Sequence, residues 1–268
     1  MLRNKPRVLV LSSCSPAIGP AIIGKQYYEA LCRKGLEVDF MTKYPEPNHP
    51  EYLYAVENDY EKGFWFRTKR KIQWMLDGGY AKEGGYCFFY PKENHPPIPS
   101  QIVVKQIKKE YDLVIVVFWQ GLLSFETIEQ IYDKLHCLIF FRCVDYSPMS
   151  GGCHFTGGCN RYQTGCGCCP AFHSKDNNDL TAWNVLYRKR VYEKVKPVVF
   201  GNLYMHQFYN RSYLLKDVQK EVGIAPIIDT DVFRPLAIDP LKRKHEIPEE
   251  KVKSYSLDVS HLMTQGKA

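Results

Sequence analysis

From residue 7 onward the chain alternates short apolar runs with amphipathic stretches, the pattern of strands covered by helices. Arg7-Val8-Leu9-Val10-Leu11 predicts a buried strand. It leads through a loop with Ser15-Pro16 and Gly19-Pro20 into a helix whose Ile23, Tyr27, Ala30 and Leu31 share one face while Lys25, Glu29 and Arg33 point away. Gly35 ends that helix, and Glu37-Val38-Asp39-Phe40-Met41 is the second strand. Ser100 reads as the cap of a helix carrying Val103, Val104 and Ile107, and Ser124 as the cap of another. Leu113 to Phe118 is apolar without a break, as in a strand buried on both faces. Residues 138–141, 197–200 and 224–228 read as further strands, with helices near 183–194 and 205–211. The fold class that follows is α/β with a doubly wound parallel sheet.

Two segments break the alternation. Residues 44–99 carry seven prolines and a basic-aromatic stretch, Phe64-Trp65-Phe66-Arg67-Thr68-Lys69-Arg70-Lys71-Ile72-Gln73-Trp74-Met75-Leu76. Wound as a helix, it sets Phe64, Trp65, Ile72, Met75 and Leu76 on one side, Arg67, Arg70 and Trp74 on the other, and Lys71 at the margin. That layout suits either an interfacial helix on an anionic membrane or a surface helix packing its apolar side on the sheet. The second break, residues 150–170, holds Cys153, Cys159, Cys166 and Cys169 as C-x5-C-x6-C-x2-C, with Cys168 between the last two. Its Gly, Thr, Asn and Pro residues offer little to bury, so a staple is expected. Four thiolates closing on a C-x2-C turn point to structural Zn2+, with disulfides or unligated thiols as alternatives. The segment sits where a parallel sheet has a strand-to-helix loop, at the edge where such folds bind ligands.

Composition narrows the setting. Ten cysteines in 268 residues, several of them in expected strands and helices, suit a reducing cytosol better than a disulfide scaffold. No apolar leader precedes the first strand and no apolar run is long enough to span a bilayer, so a cytoplasmic protein is expected. The net charge of +7 favours an anionic partner or membrane surface; the basic residues do not gather near the cysteines, which argues against nucleic acid.

Asp145-Tyr146-Ser147-Pro148-Met149-Ser150-Gly151-Gly152-Cys153-His154-Phe155, followed by Cys159-Asn160-Arg161-Tyr162 and Gly165-Cys166-Gly167-Cys168-Cys169-Pro170, resembles the cysteine-rich loop of a branch of family 4 glycosyltransferases with the GT-B fold, enzymes of polysaccharide and surface-glycan assembly. Ile228-Asp229-Thr230-Asp231-Val232-Phe233-Arg234-Pro235 resembles the hinge motif that ends their first Rossmann domain. The similarity covers roughly residues 7 to 235, which implies a Rossmann-like acceptor-side domain over 1–235 and, over 236–268, a linker toward an absent donor domain. Such a half-enzyme would bind a glycan or lipid-linked acceptor; the nucleotide-sugar donor would be held mainly by a second domain from a partner chain or a longer gene product. A non-catalytic, zinc-stabilised binding module is the rival.

Many relatives of that family carry a histidine directly before the aspartate matching Asp145, near the sugar being transferred; here it is Val144, so catalysis by that histidine is excluded. Asp145 is left as the candidate catalytic group, able to orient an acceptor hydroxyl or act as a weak base, or else to cap its loop through backbone amides. Gly19 and Pro20 form a turn suited to presenting amides to a phosphate, or a plain turn. Trp119, Gln120 and Gly121 either floor the acceptor site or cap the core. His154 reads as a loop residue or an alternative zinc ligand.

Overall fold

The computed structural model describes residues 5–13, 21–76, 87–88, 92–223, 227, 230 and 234. The chain divides into two units, Met1–Ile227 and Ile228–Ala268. Most of the hinge-like motif, with the expected domain end at 235, the linker over 236–268 and the Gly19-Pro20 turn lie outside the described residues.

The first unit is built from β1 (Arg7–Ser12), α1 (Ala21–Arg33), β2 (Glu37–Thr42), β3 (Leu53–Tyr54), α2 (Phe64–Leu76), β4 (Cys87–Phe88), α3 (Ser100–Gln106), β5 (Leu113–Phe118), α4 (Phe125–Leu135), β6 (Leu138–Cys143), β7 (Cys153–Phe155), α5 (Leu180–Val195), β8 (Val198–Gly201), α6 (Leu203–Tyr209) and β9 (Gln219–Val222). Seven strands form one parallel sheet in the order β3-β2-β1-β5-β6-β8-β9; β4 and β7 make a separate antiparallel pair. The chain winds outward from β1 in one direction, then returns to β5 and winds outward in the other. The order therefore reverses between β1 and β5, the arrangement of a Rossmann-like fold.

The central strands are largely apolar because both faces are covered. Leu9, Leu11, Val114, Val116, Ile139, Phe141 and Val199 pack beneath α3, α4, α5 and α6; Val8, Val10, Ile115 and Val117 pack on the opposite face, against Ile23, Tyr27 and Leu31 of α1. Each fully buried aliphatic side chain contributes about 1.5–3 kcal/mol, so this double layer supplies most of the favourable folding energy.

Most expected elements appear, and three differ for local reasons. Ser100 is the first residue of α3 and makes no cap; Pro99 precedes the helix, and the Ser100 hydroxyl instead meets Thr127 Oγ1 at 3.0 Å. α5 begins earlier than expected, at Leu180, because Asp179 caps it by accepting from the Thr181 and Ala182 amides. The last strand is the polar Gln219–Val222, an edge strand with no apolar run to betray it, while the expected 224–228 run lies mostly outside the described residues. Ser124 caps α4 as expected, in a reciprocal pair with Thr127.

A buried ion pair joins the 44–99 insertion to this frame. Arg188 of α5 and Glu93 are both 0% exposed, with Arg188 Nε donating to Glu93 Oε1 at 2.7 Å. Arg188 Nη1 also donates to the Ser147 and Ser150 carbonyls, each at 2.5 Å, while Glu93 Oε2 accepts the Phe125 amide at 2.8 Å. Asn184 completes the joint, accepting the Glu93 amide at 3.2 Å and donating to the Gly151 carbonyl at 3.1 Å. Removing one partner strands the other charge without water. Glu93→Ala or Arg188→Ala alone should cost about 3–5 kcal/mol, and Glu93→Leu with Arg188→Met markedly less than the sum of the single losses. Urea unfolding midpoints measure this; single variants within about 1 kcal/mol of the parent would show that the pair is not a structural joint.

Candidate functional site

Ligands of doubly wound sheets bind beyond the carboxyl ends of the strands, at the reversal of strand order. Here a cavity of about 590 Å3 opens beside the loop that follows β5. Gln120 and Gly121 line it, and Gly121 holds φ +79, a conformation that glycine adopts without steric cost. The insertion supplies much of the rest, with Tyr60, Phe66, Lys69, Arg70 and Gln73 on one side and Asn94, His95 and the 96–101 segment on another. Tyr60 and Phe66 meet edge to face at 5.1 Å.

α2 spans Phe64–Leu76, as the sequence predicts, but it does not pack its apolar side on the sheet. Phe66, Arg70 and Gln73 line the cavity, with Arg70 bonded to Glu61 at 3.0 Å and Gln73 to His95 at 2.9 Å. Phe64 and Trp65 are 73% and 80% exposed, and Ile72, Met75 and Leu76 are exposed as well. Among the described residues no helix is long and apolar enough to cross a membrane.

Charge around the cavity is ordered. Burial pushes the Glu61 carboxyl up, but hydrogen bonds from Lys43 at 2.7 Å and from the Tyr44 hydroxyl outweigh it, so the group sits below the ordinary glutamate range. Glu126 goes the other way: burial, joined by Glu129, raises it against the pull of His95.

Behind Gln120 lies a polar network around Asp145. Gln120 Nε2 donates to Ser147 Oγ at 2.5 Å and to Asp145 Oδ2 at 3.5 Å; the Ser147 amide donates to Asp145 Oδ1 at 2.7 Å. His154 Nδ1 is hydrogen-bonded to Asp145 Oδ2, and its ring lies 5.4 Å from that of Phe118. β7 makes this pairing possible by returning over the loop, where the Tyr146 amide donates to the His154 carbonyl at 3.0 Å. Asp145 and His154 are both buried. Asp145 thus accepts a loop amide and also orients two side chains, and Gln120 is its link to the cavity.

The cysteine segment fills the β6–α5 connection at the same sheet edge. Gly165, Cys166, Gly167 and Cys168 all have positive φ, a conformation costing roughly 1–2 kcal/mol at each non-glycine residue. Close packing on the start of α5 holds it: an added Cβ on Gly167 would stand 2.2 Å from the Asn177 carbonyl oxygen, and one on Gly151 equally near that of Thr181. The Gly167 amide donates to Thr181 Oγ1 at 3.0 Å and the Cys169 amide to Asp179 Oδ2 at 2.7 Å. Burial alone would raise Asp179, but hydrogen bonds from the Thr181 hydroxyl at 2.6 Å and from the Cys169 amide hold its carboxyl below the ordinary value.

Cys153, Cys159, Cys166 and Cys169 line one small cavity of about 20 Å3, room for an atom or two. All are free thiols, as is Cys168. Burial pushes Cys153 well up, with Cys169, Cys166 and Cys159 adding to it. Burial likewise raises Cys166 to about 12 and Cys169 to about 11, against backbone hydrogen bonds that pull both down. Among the described residues, however, no three His, Cys, Asp or Glu side chains are arranged to hold a metal ion as they stand. The donors fit a thiophilic ion in kind and number; their present spacing does not close a coordination shell.

No protein-family model matches the sequence, and a search of characterised proteins gives no match. Among solved structures, the chain is similar to a sucrose-phosphate synthase from Thermosynechococcus elongatus, with 14% identity and a TM-score of 0.37 over 90% of this chain and 99% of that one. So loose an overlap says nothing about chemistry, and the fold assignment rests on the strand order.

Of the residues singled out from sequence, Gln120 and Gly121 reach the cavity. Trp119 takes the core-capping place instead, 1% exposed against Phe125 and Phe141. Gly19 and Pro20 lie outside the described residues. The sequence reading missed Tyr60, Phe66, Asn94 and Gln101 as cavity residues and gave His154 no link to Asp145.

Proposed function

We propose that this chain is the acceptor-binding half of a glycosyltransferase, which moves a sugar from a nucleotide donor onto a glycan or lipid-linked acceptor. The observation that carries the reading is the composition of the large cavity. Sugars present apolar C–H faces and closely spaced hydroxyls, and the cavity sets the Tyr60 and Phe66 rings against the amides of Gln73, Asn94, Gln101 and Gln120. The resemblance of the cysteine loop supports the same class. In this reading the nucleotide donor is held by a second domain. Transfer is driven by positioning and by stabilising the leaving pyrophosphate. Asp145 is a positioning group that fixes Gln120 through the Ser147 network. Gln120→Ala and Phe66→Ala should each weaken binding of an acceptor oligosaccharide roughly tenfold in calorimetry, with circular dichroism unchanged. Binding indifferent to both changes would remove the cavity from acceptor recognition, and binding without transfer in the presence of a donor domain would select the interaction-module reading.

We also propose that Cys153, Cys159, Cys166 and Cys169 hold a structural Zn2+, reached by small inward rotations of thiols that already line one cavity. Raised thiol pKa values mean that protons must leave as the ion enters, so occupancy should fall as pH drops. Protein purified without added metal should carry about one zinc per chain by elemental analysis, and Cys166→Ser should lower both zinc content and melting temperature. Metal-free protein as stable as the loaded form would overturn the assignment.

The exposed apolar side of α2 favours a peripheral contact with anionic lipid, which would suit a lipid-linked acceptor. Arg67 and Lys71 are exposed on the same helix, and each contributes on the order of 1 kcal/mol at a charged surface. Binding to phosphatidylserine vesicles should weaken with salt and be lost on Arg67→Glu with Lys71→Glu, changes that spare the cavity pair of Arg70 and Glu61. Binding that survives the double reversal, or no binding by the parent, would rule this contact out.

A further inference from the structure

α2 brings an unbalanced charge to the large cavity. Its sequence carries Arg67, Lys69, Arg70 and Lys71 and no acidic residue, and two of the four, Lys69 and Arg70, line the cavity. Arg70 is bonded to Glu61 at 3.0 Å, but Glu61 also takes Lys43 at 2.7 Å, so one carboxylate serves two cations. Lys43 is close to the same space: an added Cβ on the lining residue Gly121 would stand 3.7 Å from its Nζ. Lys69 is exposed and, among the described residues, has neither a hydrogen bond nor an ion pair. The one acidic residue described along the wall itself is Glu126 of α4. With His95 neutral, Lys43, Lys69 and Arg70 stand against Glu61 and Glu126, which leaves one positive charge uncancelled.

The helix also fixes where that charge sits. At about 100° per residue, Lys69 falls between the exposed Trp65 and Leu76 on one side and the cavity-lining Phe66 and Gln73 on the other. Its ammonium therefore belongs to the rim of the cavity rather than to the open flank of the helix. A cleft with an excess of one sign raises the local concentration of ligands of the opposite sign. A flexible ammonium with three donors can then close on an oxyanion that arrives there.

We infer that Lys69 forms a subsite for an oxyanion carried by the bound sugar, so that the acceptor is an acidic saccharide bearing a carboxylate or a phosphate ester. This rests on the reading of the cavity as the acceptor site. The Tyr60 and Phe66 rings take the apolar face of the sugar, the amides take its hydroxyls, and Lys69 reads its charge. Because the lysine is already in water, the contact adds modest affinity and weakens with salt.

The test titrates the full chain, by ligand-observed NMR, with glucose, glucuronate and glucose 6-phosphate, which share a ring and differ only at C6. At about 20 mM salt one or both charged sugars should bind roughly three- to fivefold more tightly than glucose, and the advantage should shrink as salt is raised. Lys69→Gln should erase the advantage and leave glucose binding unchanged, while Lys69→Arg should keep it. Lys71→Gln, on the same helix but outside the cavity wall, should keep most of it. Phe66→Ala should weaken all three sugars, which ties the response to the cavity. An advantage for glucuronate alone assigns a carboxylate, and one for glucose 6-phosphate alone a phosphate ester. Charged and neutral sugars bound alike would overturn the subsite and leave the acceptor cavity standing. Equal losses in Lys69→Gln and Lys71→Gln would replace the subsite by the diffuse charge of the helix, and no binding of any of the three would remove both readings.

Discussion

The buried pair of Arg188 and Glu93 is the constraint on which the site depends. It ties four segments together: the insertion that walls the large cavity, the start of α4, the Ser147–Ser150 loop beside Asp145, and the middle of α5. Taking two charges out of water is repaid only when their remaining donors and acceptors are filled as well, so a partial version of the joint is worse than none. The joint therefore forms as a unit. Cavity wall and Asp145 loop, far apart in sequence, are placed by the same event.

The cysteine segment depends on the same helix. Its run of left-handed residues is not a conformation that the local sequence favours beyond its glycines, and it persists because α5 offers fixed partners at its first turn. Asp179 serves both sides, capping the helix and receiving the Cys169 amide. Lowering the pH through the depressed pKa of Asp179 would release both contacts together, because a carboxyl held below its unfolded value contributes stability that is lost on protonation.

How much of this was legible in the sequence follows from the range of the interactions. β1, β5 and β6 show as mostly apolar runs because burial on both faces demands them, and Ser124 announces α4 because capping is local. The bounds of α2 were equally plain, yet its inward side was not, since Arg70 and Gln73 are turned by Glu61 and His95 rather than by the helix's own pattern. β9 stayed hidden because an exposed edge strand has no reason to be apolar. In the site, Gln120 and Gly121 could be found from their place after a buried strand. The pairing of His154 with Asp145 could not, because it depends on β7 folding back over the loop to bring together residues nine positions apart.

The two margins of the sheet carry a consequence for how the protein behaves in concentrated solution. On one side the margin is β3, two residues long; on the other it is β9, whose Gln219, Lys220 and Glu221 are polar or charged. Short and charged margins resist the strand-to-strand stacking by which open sheets polymerise. Self-association driven by the described surface then falls to exposed apolar side chains, the flank of α2 and Leu203 and Tyr204 of α6 among them, a contact between side chains rather than backbones. Clusters of that kind dissolve in mild detergent, whereas hydrogen-bonded ribbons do not, and their formation would leave the β-sheet content unchanged.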